Sequence, residues 1–461
     1  MNLHVVVFAL TTVVGLKAYV SDSDESRSLQ LQGFVGRIRN SFLGQNSSRR
    51  VSNFEIFMSL LTQFAGPSAA TLSQTSISLS APTDLRRVLN LISGEHFTGA
   101  ERVQQLLGRG LGRLGFDPIF ACVNPGKFRR CSGLRDYQVR DFAMGANVDM
   151  NVVRDLIDFA QEESIELLHA HSPRTAMIAS QISYRSGIPW VYHIHRSSIR
   201  NSPRSFSRRI QSFVESYAIR GCEMLMTVSR RLRREILASG WDRSKLCLVP
   251  NGVPTVQPIE TSNRMQSKTW RVGLVGLMRP HAGVETALQA MKLLKQQGQP
   301  IELQLIGSFE SVEYEEMLAQ LEHKLDLRDM IKRTGFVSEV SEQIQQLDAL
   351  MIPSQRGEGT PMVALEAIAA GVPVVGSDVA AVREVIRDGV EGLLAEPDDP
   401  AALAQRVMDL AASREQWAEL SANAITRHRE CFTDTAMNER VANCYDRVLD
   451  AQILQPQFPQ Q

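Results

Sequence analysis

Short apolar runs alternate with stretches of helical periodicity over most of the chain. Apolar runs of this length, bounded by turn residues, are typical of buried parallel strands, and the segments between them have the period of amphipathic helices. Repeated strand-helix units imply a parallel sheet wound by right-handed crossovers. In the first half of the chain, the predicted strands are 87–93, 116–123, 165–171, 189–195 and 222–229.

The pattern pauses in the polar segment 254–269 and then restarts. We therefore predict an α/β fold with two doubly wound, Rossmann-like domains, at 86–255 and 256–430, followed by a helix and tail at 431–461. The predicted strands of the second domain are 270–276, 301–306, 331–337 and 349–353.

Residues 1–85 do not share this pattern and form an N-terminal extension. Residues 3–16 are apolar apart from His4 and two threonines, but they are too few for a membrane-spanning helix, which needs about 20 residues. The core of a signal peptide, a weak membrane anchor and a start codon placed too far upstream remain equal alternatives. Residues 21–82 are rich in Ser, Gln and Asn, and we expect mostly a linker or disordered extension there.

The stretch 350–376 predicts a strand, a loop, a short buried helix and a second strand. Thr360 as the N-cap and Pro361 as the first helical residue predict where that helix begins. Glu366 lies one turn inside the apolar helix, and Glu358 lies in the loop before it. A buried carboxylate needs a polar partner, and a helix N-terminus attracts phosphate. We interpret this arrangement as a site for a sugar joined to a diphosphate.

Other candidate residues lie where the predicted strands of the first domain end. Gly94 and Gly99 follow the first strand, in a loop where a substrate can approach the backbone closely. His171 and His195 each close a strand at the same edge, where a neutral imidazole can hydrogen-bond a sugar hydroxyl or a phosphate. A histidine at a strand end is more often a structural hydrogen-bonder, so both interpretations stay open from position alone.

Glu358-x7-Glu366, the segment 367–375 and the segment 384–394 resemble the retaining glycosyltransferases of family four. The Gly-Ala-Glu loop at 99–101 is also similar to that family. The resemblance covers most of the two predicted domains, and its motifs are specific to the family but not to a substrate.

This resemblance implies a GT-B fold, in which an acceptor-side first domain faces a nucleotide-sugar-binding second domain across a cleft. It implies that Glu358 faces the donor sugar and that Glu366 holds the ribose hydroxyls. It favours His195 over His171 as the functional histidine, and it implies that the last helix returns to the first domain.

The chain departs from the family where two cations grip the donor diphosphate. Leu277 and Ala282 stand at the positions of the family's arginine and lysine, and Arg279 or His281 is the candidate replacement. The predicted nucleotide-sugar site is completed by Gly276, Gly359, Thr360 and Met362.

Charge is uneven along the chain although the formal net charge is zero. Residues 86–255 carry 25 Lys and Arg against 15 Asp and Glu, whereas residues 256–461 carry 19 against 30. We expect the basic half to face an anionic partner such as a membrane surface, a lipid phosphate or a nucleotide. We expect no nucleic acid because no such motif is recognisable. The six cysteines form no C-x-x-C pair, so neither a disulfide framework nor a metal site is indicated.

The predicted function is transfer of a hexose from a nucleotide-diphosphate sugar, with retention and without a metal or other cofactor, to a lipid-linked or cell-surface glycan acceptor. The expected location is the cytoplasm, with peripheral membrane association. A catalytically weak sugar-nucleotide-binding or assembly-scaffold protein is the competing hypothesis, and a nucleotide-sugar epimerase on the same fold is the third. The donor base, the sugar and the oligomeric state cannot be inferred from these residues.

Overall fold

The computed structural model describes residues 85–145, 149–195, 219–257, 269–337, 339–355 and 359–453. The predictions for residues 1–84 and for Glu358 lie outside these residues. Within the described ranges, no helix has the length and apolar character needed to cross a membrane.

Seven strands in the described part form the first sheet: β1 (Arg86–Ile92), β2 (Phe116–Cys122), β3 (Val139–Asp141), β4 (Leu167–Ala170), β5 (Trp190–Ile194), β6 (Met224–Thr227) and β7 (Leu246–Leu248). All pairings between them are parallel, and the order is β3-β2-β1-β4-β5-β6-β7. The strands β4, β5 and β6 are buried along their whole length, as continuous apolar runs predict.

Helices connect these strands: α1 (Gly99–Gly110), α2 (Lys127–Cys131), α3 (Met150–Glu162), α4 (Pro173–Ser186) and α5 (Arg230–Ala238). Local sequence explains where they begin. Ser172 caps α4 by accepting a hydrogen bond from the Thr175 N–H, with Pro173 at the first helical position. Ser229 caps α5 in the same way, accepting from the Leu232 N–H.

The second sheet contains six strands among the described residues: β8 (Trp270–Val275), β9 (Ile301–Ile306), β10 (Ile331–Gly335), β11 (Ala349–Ile352), β12 (Val374–Ser377) and β13 (Gly392–Ala395). It is also parallel, in the order β10-β9-β8-β11-β12-β13. Its helices are α6 (Val284–Gln296), α7 (Val312–Lys324), α8 (Ser341–Gln345), α9 (Met362–Ala369), α10 (Ala380–Val385), α11 (Pro400–Ala412), α12 (Arg414–Cys431) and α13 (Asp434–Ile453).

Each sheet has a point where the direction of winding reverses. In the first sheet β1 lies between β2 and β4, and in the second sheet β8 lies between β9 and β11. Ligands of open α/β sheets bind outside the carboxyl ends of the strands at such points. The loops after β1 and β8, which carry several of the predicted site residues, therefore lie where this topology places a ligand.

One apolar core connects the two sheets. It contains Val88 of β1, Leu107 of α1, Leu365 of α9 and Val441 of α13. The last helix packs against α1 and the first sheet, and the Tyr445 ring lies 5.1 Å from the Phe116 ring in an edge-to-face arrangement. Side chains from both sheets therefore pack in the same core.

The structure differs from the sequence predictions in two helices near the site. The helix predicted at 361–370 begins at Met362, and Pro361 is its N-cap because its backbone is extended, with ψ 111°. The helix predicted in 431–461 is α13, which begins at Asp434, after α12 ends at Cys431. The chain turns at Phe432 because Val253 accepts a hydrogen bond from the Asp434 N–H, which ends the helical ladder there.

Candidate active site

The glycine-containing loop of the first sheet contacts the start of α9 in the second. Gly99 begins α1, and a Cβ built on it would lie 3.1 Å from the Met362 Cγ. Gly94 has φ +83°, and a Cβ there would lie 2.8 Å from the Cys122 Cβ, so only glycine fits this position. The structure thus brings Gly99 and Met362, predicted from separate domains, into contact.

Glu366 is buried in α9, with 5% of its surface exposed. Its Oε1 lies 3.4 Å from Nε of Arg102 on α1, and Nη2 of Arg102 lies 3.4 Å from Oε2 of Glu339. Burial raises the pKa of Glu366 to about 7, while the Arg102 charge lowers it and the Glu339 charge raises it further. The carboxylate that the sequence predicts to bind ribose therefore faces a cation from the first domain.

Arg102 was not predicted as a site residue. Like Glu366 in α9, Arg102 is a charged residue among apolar residues of a helix, here the buried Val103 and Leu106 of α1. This position was the sequence signal that could have identified Arg102 as a site residue. Its Nε makes no hydrogen bond among the described residues, and 3.4 Å exceeds the length of a close charge-assisted hydrogen bond. A ligand could therefore contact either charged group without breaking a short hydrogen bond between them.

The first turn of α9 has no side-chain cap. Thr360 was predicted to provide it, but its Oγ1 is buried and makes no hydrogen bond within the described residues. Gly359, just before it, is exposed and has φ +154°. The free N–H groups and the positive end of the helix dipole favour an anion at this position.

The loop after β8, residues 276–283, packs against the end of β11. Gly283 has φ +83°, and a Cβ on it would lie 1.8 Å from the Pro353 carbonyl oxygen. The His281 Nδ1 lies 3.0 Å from the Gln355 Oε1, and the Gln355 N–H donates to the His281 carbonyl. This loop therefore lies beside the chain that leads to Glu358.

Within this loop, the two positions that lack the family's cations are apolar. Leu277, which follows the half-buried Gly276, is 41% exposed, and Ala282 packs against the core of the second domain. Arg279 is exposed and forms no ion pair with any other described residue, whereas His281 is held by Gln355. Arg279 is therefore the better candidate for the missing positive charge.

The two predicted histidines lie in one chain of hydrogen bonds. The His195 Nε2 is 3.2 Å from the His171 Nδ1, and the His171 Nε2 is 3.1 Å from the Asn90 Oδ1. Because an amide oxygen only accepts, the His171 Nε2 donates to Asn90, and its Nδ1 accepts from His195. His171 therefore orients the histidine that the family resemblance favours.

Two further histidines, His169 and His193, were missed by the sequence reasoning. They lie two residues before His171 and His195, and alternation along a strand puts all four side chains on one face of the first sheet. Ring centroids are 4.0 Å apart for His169 and His171 and 4.5 Å apart for His193 and His195. Burial lowers the pKa of His169, His171 and His193. The His-x-His spacing in two successive strands was the sequence signal that could have identified His169 and His193.

Two protein-family descriptions match consecutive parts of the chain. Residues 98–252 match the family described as "Glycosyl transferase 4-like domain". Residues 257–427 match the family described as "Glycosyl transferases group 1". The two matches meet in the polar segment that separates the sheets.

Two of the curated relatives are similar to part of the chain. "Amylovoran biosynthesis glycosyltransferase AmsK" of Erwinia amylovora is 29% identical over 201 residues, which are 41% of this chain and 47% of that protein. "Putative colanic acid biosynthesis glycosyltransferase WcaL" of Salmonella typhimurium is 25% identical over 232 residues, which are 48% of this chain and 56% of that protein. The matched region thus spans about half the length of these relatives.

Among solved structures, the fold is similar to that of HepE from Anabaena in complex with UDP and glucose. The TM-score is 0.69 at 20% sequence identity, and the match covers 78% of this chain and 100% of that chain. Two parallel-sheet, Rossmann-like domains are the arrangement of GT-B glycosyltransferases, and this chain has that fold.

Proposed function

We propose that this chain, a glycosyl transferase 4-like domain followed by a glycosyl transferases group 1 domain, transfers a hexose from a nucleotide-diphosphate sugar with retention of configuration. The observation that carries the proposal is the buried Glu366 carboxylate beside the uncapped N-terminus of α9. A carboxylate accepts hydrogen bonds from ribose hydroxyls, and a helix N-terminus binds phosphate.

Protein groups supply the positive charge that the donor diphosphate needs. The proposed contacts are the N-terminus of α9 and Arg279, which forms no ion pair with another described residue. Arg102, whose Nη1 donates to Gln105 Oε1, lies next to the proposed ribose position. Preorganised donors of this kind stabilise the charge that develops on the leaving nucleotide. Transfer is therefore proposed to need no metal. The similar HepE structure holds UDP and glucose, which makes uridine nucleotides the first donors to test.

The proposed catalytic residues are Glu358, facing the donor sugar, and His195, contacting the sugar or the phosphate. The hydrogen bond from His195 Nε2 to His171 fixes the orientation of this imidazole, which supports a positioning role for His171. Both assignments rest on the family motif at these positions.

The proposed acceptor is a lipid-linked or cell-surface glycan. The basic first half of the chain suits a partner that carries phosphate. The names of both relatives refer to polysaccharide biosynthesis, of amylovoran and of colanic acid. Peripheral contact with an anionic membrane would bring the first domain to such an acceptor.

A sugar-nucleotide-binding protein with weak or no transfer activity is the second candidate. It is favoured by the exposed Leu277 at the position of the family's arginine. In this alternative, the chain still binds the sugar nucleotide but does not stabilise the leaving group.

The test begins with a thermal-shift screen of nucleotide sugars, because a ligand that binds only the folded chain raises its melting temperature. Transfer of the stabilising donor to lipid-linked and oligosaccharide acceptors is then measured with EDTA present, and the anomeric configuration of the product is read by NMR. A product with the donor's configuration supports the proposal. Binding without transfer favours the second candidate, loss of transfer in EDTA overturns metal independence, and an isomerised sugar formed without acceptor indicates epimerisation.

A further inference from the structure

Three buried imidazoles on neighbouring strands form a cluster of metal-ligating groups. This histidine cluster consists of His169, His171 and His193, which are 0%, 5% and 0% exposed. One ligand nitrogen from each lies within 4.8 Å of those of the other two. We propose that the histidine cluster is a binding site for a divalent transition metal of the zinc type.

Three ring nitrogens of the histidine cluster are unsatisfied. His169 Nε2 and both ring nitrogens of His193 are buried and make no hydrogen bond among the described residues. Most buried polar atoms in folded proteins have a partner, and leaving one unmet costs about 1 to 3 kcal/mol. A neutral imidazole has one lone pair, so a bound cation would satisfy His169 Nε2 and one of the two His193 nitrogens.

The surrounding contacts orient two of the rings for metal binding. His169 Nδ1 lies 2.6 Å from the hydroxyl oxygen of Tyr445, and His171 Nε2 donates to the Asn90 oxygen. Metal-ligating histidines usually donate their second N–H to an oxygen, which fixes the tautomer. In the tautomer that donates Nδ1–H to Tyr445, His169 offers a metal the lone pair of its Nε2. The lone pair of His171 Nδ1 accepts a hydrogen bond from His195 Nε2 in this structure, and it becomes available to a metal when that hydrogen bond breaks.

The ligand type and spacing indicate which metals fit. A set of imidazoles without a carboxylate suits Zn²⁺, Co²⁺, Ni²⁺ or Cu²⁺ and does not suit Mg²⁺ or Ca²⁺. Two nitrogens on one tetrahedral zinc, each about 2.05 Å from the metal, lie about 3.3 Å apart. The ligand nitrogens of the histidine cluster lie within 4.8 Å of one another, so the rings would shift to reach this spacing. A metal on His171 Nδ1 would displace the hydrogen bond that this nitrogen accepts from His195 Nε2.

The test uses the full chain, prepared without a polyhistidine tag and stripped of metal with EDTA. Zn²⁺ is titrated in the absence of any donor, and bound metal is measured by mass spectrometry. We expect one Zn²⁺ per chain and a melting temperature that rises with free Zn²⁺. His193→Gln should weaken Zn²⁺ binding at least tenfold. His323→Gln, which removes an exposed histidine of α7, is the matched control and should bind as the unaltered chain does.

Equal Zn²⁺ affinity in the unaltered chain and His193→Gln, or no uptake at micromolar Zn²⁺, would overturn the proposal. If His193→Gln does not fold by circular dichroism, the Co²⁺ spectrum of the unaltered chain decides. Tetrahedral bands without a thiolate charge-transfer band support the histidine cluster, and a thiolate or octahedral spectrum rejects it. Because no donor or acceptor is present, the outcome does not depend on whether the chain is a transferase.

Discussion

At the scale of single residues, the site is organised around Glu366 and its distance from Arg102. The pair is buried but separated by 3.4 Å, so the carboxylate loses hydration without gaining a short charge-assisted hydrogen bond. Ribose hydroxyls would supply the missing hydrogen bonds.

Replacing Glu366 with alanine should therefore weaken nucleotide binding by about 1.5 to 3 kcal/mol, the range for hydrogen bonds to charged groups. Calorimetric titration with the nucleotide found in the thermal-shift screen measures this. Glu316→Ala, which removes an exposed glutamate of α7, is the control and should leave the affinity unchanged. Unchanged affinity in a folded Glu366→Ala would show that this carboxylate does not hold the ribose.

The same carboxylate should make nucleotide binding depend on pH. The pKa of Glu366 is about 7, above its ordinary value of 4.5. The protonated carboxyl therefore adds to the free energy of unfolding, and this contribution is fully present below about pH 4.5 and is lost as pH rises through about 7. The ionised form is the stronger acceptor, so affinity for a nucleotide sugar should increase between about pH 6 and 8. Glu366→Gln cannot titrate and should flatten this profile. The same rise in Glu366→Gln would assign the dependence to another group.

Arg279 is the residue that separates an active enzyme from a binding protein. If it contacts the diphosphate, Arg279→Ala should reduce turnover at least tenfold, or about 1.4 kcal/mol of transition-state stabilisation. Ala282→Lys should raise turnover if the missing cation only weakens the enzyme. Rates equal to the unaltered chain in Arg279→Ala would reject the replacement. No transfer by the unaltered chain or by Ala282→Lys, over a broad donor and acceptor screen, would favour the binding protein.

At the scale of elements, the loop 276–283 is held against β11 by a close backbone contact. Gly283→Ala combines a strained positive φ with a Cβ only 1.8 Å from the Pro353 oxygen, so the loop or the strand end must move. We expect a loss of at least about 2 kcal/mol in unfolding free energy together with weaker donor binding. Gly298→Ala has φ +67° but nothing within 4 Å, and it should cost only the backbone strain, about 1 kcal/mol. Similar losses in the two variants by denaturant titration would contradict the close-contact argument.

The regular elements could be predicted because each depends on its own sequence. The bounds of β9, Ile301–Ile306, agree with the apolar run that predicts this strand. The fold class follows from the same alternation. The start of α9 was mispredicted because Thr360 and Pro361 form a good local capping pair, whereas the fold uses an extended Pro361.

The partners of the site residues could not be predicted, because they depend on tertiary contacts. Arg102 faces Glu366 across more than two hundred residues of sequence, and His171 meets His195 only when β4 pairs with β5. Sequence spacing puts each side chain at a strand end or on a helix, but register and domain contact decide which pairs meet.

At the scale of the whole molecule, the connections between the two sheets are polar as well as apolar. The Arg231 N–H at the start of α5 donates to Glu384 Oε1 in α10, and Arg102 faces Glu366. A ligand that binds Glu366 therefore acts on a contact between the first and second domains. Nucleotide binding and the relative position of the domains are expected to be coupled through this contact.

The uneven charge of the two halves leads to a prediction about membrane association. Arg230 and Arg234 are exposed one turn apart on α5, in the basic half. We expect the full chain to sediment with vesicles that contain phosphatidylglycerol and much less with uncharged vesicles. This binding should weaken as salt rises, because the Debye length shortens. Since each basic side chain near an anionic surface contributes about 1 kcal/mol, replacing both arginines with glutamine should reduce binding roughly tenfold or more.

The matched control replaces two exposed basic residues of the acidic half, Lys324 and Arg328, with glutamine. This double variant changes the net charge by the same amount as the α5 variant. The comparison therefore distinguishes the effect of the basic surface of α5 on vesicle binding from the effect of overall charge. Equal weakening by both double variants would reject a specific role for α5. Binding that survives high salt and does not require anionic lipid would show that the chain associates through apolar contact, because hydrophobic burial is not screened by salt. Residues 3–16 are the candidate for that contact.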